Sequence, residues 1–399
     1  MEYQRYQLRD IGDIVSGATP KTTVAENFGG AIPWLTPADL SGYTQKYISR
    51  GKRNLTQLGY DSCSTQIMPS GTVLFSSRAP IGYTAIAKNP ICTNQGFKSI
   101  VPKPFVNSEF LYYQLIYLRK TIQDMGSGTT FKEISAKKFG AVQVTIPPLV
   151  EQEHIISRIE ELFSQLDVSV NELKTAKERL KVYRQAVLKE AFEGDYPQVQ
   201  LKEISTAISG YAFKSKLYTS DGKYIVVKIG NVKERHFEFS RDLTRTNEAD
   251  ETILDKYLLQ RGDCLITLTG SRGKRDYGFV TMIKDQTNYL LNQRVAAIRF
   301  NRKEAIPEFF QYYLASPSYR SAFFRYETGN VGQGNVGIKA LTEPIVILPN
   351  IEQQWRIVEE IESRLSVCDS IEKTVDTALL QAKALQQSIL KKAFEGRLL

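Results

Sequence analysis

The sequence contains 399 residues, more than a single hydrophobic core usually organises, so we expect two or more domains. Hydrophobic residues make up 42% of the chain and charged residues 24%, which excludes a fibrous or intrinsically disordered protein. Lys and Arg number 52 against 43 Asp and Glu, and the resulting net charge of +9 is compatible with an acidic partner such as nucleic acid.

Residues 1–145 form the first predicted segment, a mixture of short β-like runs separated by Gly, Pro and Asn turns. The segment contains a tyrosine-rich stretch at 110–113 and a polar, glycine-rich loop at 126–130. Its 16 basic and nine acidic residues give a net charge of +7. We therefore predict a basic globular domain over residues 1–145.

A long helix is predicted in the next segment, residues 146–196. Apolar residues recur every seven positions, no Pro or Gly interrupts the run, and Gly194 suits the left-handed position after a helix end. Such a run predicts a helix of ~40 residues, ~60 Å long, whose apolar seam pairs with another helix. The seam positions are Ile159, Leu166, Leu173, Leu180 and Val187.

The second half of the chain repeats this plan. Ala191-Phe192-Glu193-Gly194 recurs 202 residues later as Ala393-Phe394-Glu395-Gly396, and the Glu-Gln pair at 151–152 matches 352–353 with a slip of one residue. Residues 197–346 carry 22 basic and 16 acidic residues, a net charge of +6, and residues 347–399 form a second predicted helix. Its seam positions are Ile361, Cys368, Val375, Ala382 and Ile389.

The charge follows the same boundaries. The two helical segments are acidic, with net charges of −3 and −1, so the whole positive excess lies in the two globular segments. Ordinary variation is one explanation for a charge of +6 or +7 on such a segment. Its appearance in two related segments favours two nucleic-acid-binding domains joined by a helical spacer.

Residue types that catalysis and metal binding need are scarce. The chain has two histidines, His154 and His236, and neither an H-E-x-x-H nor a G-x-x-x-x-G-K-[ST] motif. The four cysteines form no C-x-x-C pair, which argues against a zinc site and a disulfide framework. The chain begins without an apolar signal region, and no run approaches the ~18 apolar residues of a membrane span. We expect a non-catalytic, cytoplasmic protein without a bound metal.

Three motifs connect the chain to a known family: Gly126-Ser127-Gly128-Thr129-Thr130-Phe131-Lys132-Glu133-Ile134, then Ile146-Pro147-Pro148-Leu149, then Ala191-Phe192-Glu193-Gly194. Together with the duplicated plan, the whole chain resembles the DNA-specificity subunit of type I restriction-modification systems. The resemblance implies an α+β protein with two pseudo-repeated mixed α/β target-recognition domains, separated by two long helices that form an antiparallel coiled coil. One departure is the loop from Gly329 to Asn335, which lacks the Gly-Ser-Gly-Thr-Thr sequence of the first copy.

The resemblance also implies a division of labour. Each recognition domain would read one half of a bipartite double-stranded DNA site, while the helices set the spacer and dock two methyltransferase subunits, with restriction subunits joining the complex. This chain would bind no cofactor, since S-adenosylmethionine and ATP belong to the partner subunits. The alternative is a coiled-coil scaffold or inhibitor protein that binds partner subunits and has no DNA sequence preference.

Candidate DNA contacts follow from side-chain chemistry. Arginine donates two hydrogen bonds to a guanine edge, lysine meets phosphate as a point charge, and Asn or Gln amides pair with adenine. Each candidate also has a structural alternative, such as a solvated turn, an amide that satisfies its own loop, or a loop that positions the following strand. Tyr112, Tyr113, Tyr312 and Tyr313 are predicted to be core residues. The candidates are Arg78, Tyr83, Asn94, Gln95, Ser127, Thr129, Thr130, Lys132, Arg272, Lys274, Arg275, Tyr277, Asn292, Gln293 and Arg294.

Overall fold

The computed structural model of the chain describes residues 4–78, 80–128, 132–238, 243–247, 249–285, 288–329 and 332–398. It divides into two compact units. Unit 1 comprises Met1–Leu173 and Thr377–Leu399, and unit 2 comprises Lys174–Asp376. Each unit thus combines one of the globular segments with parts of both long helices, whereas the division into four segments at 145, 196 and 346 stays a prediction.

Short strands and short helices build the globular parts, and two long helices each contribute to both units. The strands are β1 Gln4–Gln7, β2 Gly12–Ser16, β3 Phe28–Ile32, β4 Trp34–Leu35, β5 Tyr47–Ile48, β6 Val73–Ser77, β7 Ile81–Ala87, β8 Cys92–Thr93, β9 Lys98–Pro102, β10 Gln143–Ile146, β11 Gln198–Gln200, β12 Ser205–Ser209, β13 Tyr224–Val227, β14 Val232–Lys233, β15 His236–Phe237, β16 Arg245–Thr246, β17 Cys264–Thr267, β18 Thr269–Gly270, β19 Val280–Met282, β20 Tyr289–Leu291, β21 Val295–Phe300, β22 Glu327–Thr328, β23 Gly334–Val336 and β24 Ile345–Ile347. The helices are α1 Leu8–Ile11, α2 Gln57–Asp61, α3 Ser108–Asp124, α4 Ala136–Gly140, α5 Leu149–Ala191, α6 Leu201–Ile204, α7 Glu251–Tyr257, α8 Pro307–Ala315, α9 Pro317–Phe324 and α10 Ile351–Phe394.

A five-stranded sheet in the order β2-β9-β6-β7-β5 forms the centre of unit 1. Its neighbours are antiparallel except for β5 and β7, which are parallel. Helix α3 packs on β7. The helix begins after Asn107, whose side-chain oxygen accepts a hydrogen bond from the Glu109 N–H at 2.8 Å. Phe110, Leu111 and Ile122 on its inner face join the core of the sheet.

Unit 2 has a four-stranded antiparallel sheet in the order β12-β21-β17-β19. Here α8 and α9 stand where unit 1 has the single helix α3. Pro317 ends the first helix because it has no N–H to donate and its ring clashes with the preceding turn. The Ser316 hydroxyl then accepts a hydrogen bond from the Tyr319 N–H at 3.3 Å and caps α9. Phe310 of α8 and Phe323 of α9 both pack in the core of unit 2.

The two long helices contain 43 and 44 residues, which confirms the predicted length. In unit 1, Ile159 near the start of α5 and Ile389 near the end of α10 lie in the same core. In unit 2, Arg184 near the end of α5 pairs with Asp369 at 2.6 Å and with Glu372 of α10 at 2.7 Å. The start of one helix therefore meets the end of the other in each unit, and the helices form the antiparallel coiled coil.

The predicted seam residues differ in burial. Ile159, Val187 and all five seam positions of α10 are buried, whereas Leu166, Leu173 and Leu180 are half-buried. Small α10 residues explain part of the difference in unit 1. Leu166 and Leu173 line an apolar groove together with Ala378 and Ala382, whose side chains are too short to cover the leucines.

A buried glutamine ties α5 to the globular part of unit 1. The side-chain oxygen of Gln152 accepts a hydrogen bond from the Asn107 N–H at 2.8 Å. Its NH₂ group donates to the carbonyls of Phe105 at 2.9 Å and Pro147 at 2.8 Å. One side chain thus satisfies three main-chain groups at the helix start.

Gln354 makes the same three bonds in unit 2. Its oxygen accepts from the Ile306 N–H at 2.9 Å, and its NH₂ group donates to the carbonyls of Glu304 at 2.8 Å and Pro349 at 2.7 Å. The structural counterpart of Gln152 is therefore Gln354, at the fixed offset of 202. The alignment of Gln152 with Gln353 was wrong by one residue.

The repeated Ala-Phe-Glu-Gly motif has a packing role at the other end of each long helix. The Phe394 ring lies 5.3 Å from Phe110 of α3, between ring centres, and the Phe192 ring lies 5.4 Å from Phe309 of α8. Each pair meets edge to face, a favoured aromatic geometry. The phenylalanine therefore docks a helix end onto an aromatic helix in both units.

Candidate nucleic-acid interface

Three loops of unit 1 that are distant in sequence meet beside the central sheet. The Ser77 N–H donates a hydrogen bond to the Gly96 carbonyl at 2.7 Å, and the Ile134 N–H donates to the Ser77 carbonyl at 3.0 Å. Ser77 therefore holds the other two loops through its main chain. The segments are 76–83 (loop 1A, with the end of β6 and the start of β7), 94–97 (loop 1B) and 126–134 (loop 1C), and residues 79 and 129–131 lie outside the described residues.

Three loops of unit 2 are joined by the same pattern. The Leu268 N–H donates to the Arg294 carbonyl at 2.9 Å, and the Val336 N–H donates to the Leu268 carbonyl at 2.9 Å. Each unit therefore has the same frame of main-chain hydrogen bonds but presents different side chains on it. Two domains that bind two different DNA sequences would require this arrangement. The segments are 268–278 (loop 2A, which contains β18), 292–294 (loop 2B) and 327–338 (loop 2C, which contains β22 and β23), and residues 330–331 lie outside the described residues.

Loops 1A and 1C of unit 1 carry a group of charges. The Arg78 guanidinium lies 3.9 Å from the Glu133 carboxylate, and both side chains are partly exposed. Lys98 is buried beneath them, and this burial together with Arg78 lowers its pKa, while Glu133 acts in the opposite direction. Ser127 and Lys132 of loop 1C are exposed. Glu133 is the one carboxylate in this described group, against the cations Arg78, Lys98 and Lys132. The group is therefore suited to contact a DNA phosphate or a base edge.

The structure gives several unit 1 candidates internal roles. The Asn94 side-chain oxygen accepts a hydrogen bond from the Gly96 N–H at 2.9 Å, so this amide satisfies its own turn. Tyr83 is half-buried against the core, and its N–H donates to the Ser76 hydroxyl. Gln95 is exposed and accepts a hydrogen bond from Thr19. The candidates Thr129 and Thr130 lie outside the described residues.

Loop 2A is held in a defined shape by one carboxylate. Asp276 accepts hydrogen bonds from the Ser271 N–H at 2.6 Å and from the Ser271 hydroxyl at 3.0 Å, and these bonds lower the pKa of Asp276. Arg272 donates to the Gly329 carbonyl of loop 2C at 2.7 Å. Arg272, Lys274 and Arg275 are all exposed, so the loop presents three cations on a closed turn.

Tyr277 has a structural role rather than the predicted role in DNA contact. It is fully buried, with its hydroxyl donating to Glu327 at 2.6 Å and its ring 5.1 Å from that of Phe324. Burial and the bond to Glu327 raise its pKa. The aromatic side chain anchors loop 2A from the inside, and only its neighbours Arg272, Lys274 and Arg275 are exposed among the predicted residues of this loop.

Loop 2B contains one buried amide and two exposed side chains. Asn292 is buried, and its side-chain oxygen has no hydrogen-bond partner among the described residues. Gln293 and Arg294 are exposed and line a polar recess shared with Asn335 of loop 2C. Arg294 has a left-handed backbone with φ 71°, a conformation that is costly for a side chain of this size and that concentrates at functional sites.

Sequence reasoning missed an exposed basic turn elsewhere in unit 1 and two helical residues that contact the loops. Arg50, Lys52 and Arg53 are exposed in one turn of unit 1, and a count of basic residues in short windows would have found them. Gln123 of α3 and Arg320 of α9 contact loops 1A and 2A. No sequence signal identifies Gln123 and Arg320, because each looks like an ordinary polar helix residue. Their contacts with the loops arise only from the tertiary fold.

The two clusters of loops present chemical groups that are able to contact DNA. They present guanidinium, ammonium, amide and hydroxyl groups, which match the edges of bases and the phosphates between them. Within the described parts of the chain, no group of His, Cys, Asp and Glu is arranged to hold a metal ion, and the four cysteines are free thiols. Among the same residues, no helix has the length and apolar character of a membrane span.

Comparisons with known proteins agree on one family. The family described as "Type I restriction modification DNA specificity domain" matches residues 1–178 and 193–381. The EcoKI specificity subunit of Escherichia coli K12 is 27% identical over 360 residues, which cover 84% of this chain and 76% of that protein. The MjaIX specificity subunit of Methanocaldococcus jannaschii is 47% identical over 153 residues, and this match spans 37% of this chain and only 35% of that relative.

The fold is also similar to that of a solved protein. A chain determined for the assembly and conformational transition of the type I R-M system superposes with a TM-score of 0.75. The two share 19% sequence identity, and the match covers 99% of this chain and 98% of the other. The match therefore spans both units.

Proposed function

The chain belongs to the family of type I restriction-modification DNA-specificity proteins, and we propose that it selects the DNA site of such a complex. Each unit binds one half of a bipartite double-stranded site. Loops 1A, 1B and 1C read one half, and loops 2A, 2B and 2C read the other. The chain works in the cytoplasm and supplies no catalytic group.

The duplicated loop frame is the observation that carries this proposal. Ser77 and Leu268 make the same pair of main-chain hydrogen bonds, yet the side chains around them differ. Two domains with the same loop frame but different side chains are suited to binding two different DNA sequences. The charges of +7 and +6 on the globular segments add the attraction to phosphate that all DNA binding needs.

We further propose that two methyltransferase subunits dock on the coiled coil and that restriction subunits join them. S-adenosylmethionine and ATP are bound by those partners. The relatives support this proposal because they are named as specificity subunits of restriction enzymes. Exposed apolar side chains on α5 and α10, including Val182, Val367 and Leu380, offer contact area for protein partners.

A selection experiment tests the proposal. The full chain is incubated with a library of duplexes that contain a randomised window, and the bound fraction is sequenced. A specificity subunit enriches two short sequences at a fixed separation, and its preference for the enriched duplex over a scrambled one persists as salt rises. A scaffold without sequence preference enriches nothing and binds both duplexes with the same salt dependence.

Exchange of residues 1–145 tests the independence of the two readers. Replacing this segment with the same segment of a relative is expected to change one half of the enriched sequence and to leave the other half unchanged, because each loop frame is closed within its own unit. Sequencing of the selected duplexes measures the result. A change in both halves would mean that the units do not read independently.

Arg272 and Lys274 are expected to differ in their contribution to binding. Arg272→Ala should weaken binding to the enriched duplex by about 1–3 kcal/mol and relax the preference at one base position. The Arg272 guanidinium has five N–H donors and uses one of them in the described bond to the Gly329 carbonyl, so the others can meet a base edge. Lys274→Ala should weaken binding to all duplexes alike and reduce the salt slope by ~0.9 per lost phosphate contact. Titrations at several salt concentrations separate the two effects, and equal losses on every sequence for Arg272→Ala would make it a phosphate contact.

A further inference from the structure

Loops 1A and 2A each have a buried glycine near their C-terminal end, which lies against α3 in unit 1 and against α9 in unit 2. In loop 1A this residue is Gly82, with φ 107°, and in loop 2A it is Gly278, with φ 73°. A Cβ at Gly82 would lie 2.5 Å from the Cγ of Arg119, and a Cβ at Gly278 would lie 3.2 Å from a terminal nitrogen of Arg320. Glycine at both positions therefore permits the left-handed turn and the close approach of the helix.

The helix also binds the carbonyl groups at this end of each loop. In unit 1, the side-chain NH₂ of Gln123 donates to the Ile81 carbonyl at 2.8 Å. In unit 2, Arg320 donates to the carbonyls of Gly278 at 2.6 Å and Tyr277 at 3.1 Å. Ile81 and Tyr277 both directly precede the buried glycine, so the two helices hold equivalent main-chain positions.

We propose that Gln123 and Arg320 are positioning residues, each of which fixes one reading loop through its main chain and thereby controls the sequence preference of one half-site. The inference rests on the proposed function, because it assigns the loops to DNA. A main-chain anchor leaves the side chains of the loop available to the ligand. It also holds the turn whichever side chains the loop carries.

The difference between the two anchors follows loop length. Five positions separate Ser77 from Gly82, whereas ten separate Leu268 from Gly278, and a longer loop loses more conformational entropy when it is ordered. The longer loop has the stronger anchor. Arg320 also donates to the Arg275 carbonyl at 3.3 Å, and its guanidinium lies 5.1 Å from the centre of the Phe324 ring.

Arg275 links this anchor to the exposed cations of loop 2A. Its guanidinium lies 4.8 Å from the centre of the same Phe324 ring, and its backbone is left-handed with φ 49°. Arg320 thus donates to the carbonyl of Arg275, whose backbone is strained. The side chains of both arginines lie against the ring of Phe324. Loss of Arg320 would allow Arg275 to relax to an ordinary backbone conformation and move its side chain.

The test uses the full chain and the library of randomised duplexes described above. Arg320→Met is expected to reduce the ratio of specific to non-specific binding by about tenfold to a hundredfold and to erase the preference in one half-site, since several charge-assisted bonds are lost. Gln123→Met should act on the other half-site by about tenfold or less, because one neutral bond is lost. Arg320→Lys should recover part of the preference because its ammonium still donates.

Matched controls remove charge or polarity from the same helical regions without touching the loops. Arg325→Met and Lys120→Met alter exposed residues next to α9 and in α3, and both half-sites should stay intact. Binding to a scrambled duplex and its salt slope should be unchanged in Arg320→Met, because a positioning residue makes no phosphate contact. A loss of salt slope would instead make Arg320 a phosphate ligand and overturn the positioning role.

Hydrogen exchange of the free protein gives a readout that needs no DNA. Arg320→Met should speed exchange of residues 271–278 while the remainder of unit 2 keeps its protection. If the wild-type chain enriches no duplex, the proposed function fails, whereas exchange still decides whether the anchor holds the loop. If wild type and both Met variants enrich the same sequence with the same preference, the positioning role is wrong and the proposed function stands.

Discussion

Replacing Gln354 by leucine is expected to lower the free energy of unfolding by about 3 kcal/mol. The side chain is fully buried and satisfies the Ile306 N–H and the carbonyls of Glu304 and Pro349. Leucine fills a similar volume but leaves all three main-chain groups without this partner, and a buried unsatisfied group costs about 1–3 kcal/mol. Urea denaturation followed by circular dichroism measures the change.

Gln353→Leu is the matched control for this prediction. Gln353 is exposed, and it exchanges two hydrogen bonds with Asn350 in a cap at the start of α10. Leucine removes only the bond that the Gln353 side chain accepts, while the Gln353 N–H still donates to Asn350, so the expected cost is below the ~1 kcal/mol of a lost cap. A larger effect at Gln353 than at Gln354 would show that the three-bond anchor is not the main link between α10 and the globular part of unit 2.

Lengthening both long helices by one heptad is expected to change the spacer of the DNA site without changing either half. The insertions go between Leu173 and Leu180 of α5 and between Val375 and Ala382 of α10. These positions face each other, because Lys177 pairs with Asp376 at 2.6 Å. Seven residues add ~10 Å of helix, enough for up to ~3 additional base pairs at 3.4 Å each. Selection from the randomised library measures the separation of the two enriched halves.

The single insertion in α5 is the control, and it should damage the protein. Each long helix is anchored near both ends, with α5 held at Gln152 and Phe192 and α10 held at Gln354 and Phe394. Lengthening α5 alone leaves the two helices unequal, so an anchor or the pairing of Arg184 with Asp369 must break. An unaltered spacer after the paired insertion in an active protein would mean that the helices do not set the distance.

The duplicated architecture was predictable from the sequence because its signals are local and periodic. A seven-residue repeat without Pro or Gly specifies a long amphipathic helix whatever else the chain does, and α5 and α10 follow it over 43 and 44 residues. The repeated Ala-Phe-Glu-Gly motif and the glycine-rich loop identified the family in the same way, since a motif is read from adjacent residues.

Which polar and aromatic side chains of the candidate loops are exposed depends on contacts between distant segments. Tyr277 and Arg272 lie five residues apart, yet one is fully buried against Phe324 and the other is exposed. Their difference depends on α9, which lies some forty residues further along the chain. Arg320 likewise becomes an anchor only when loop 2A folds onto it. Adjacent residues thus specify the helices, the repeat and the family motifs, whereas long-range packing specifies which side chains of the candidate loops are exposed, because a hydrogen bond or a buried ring joins two distant segments.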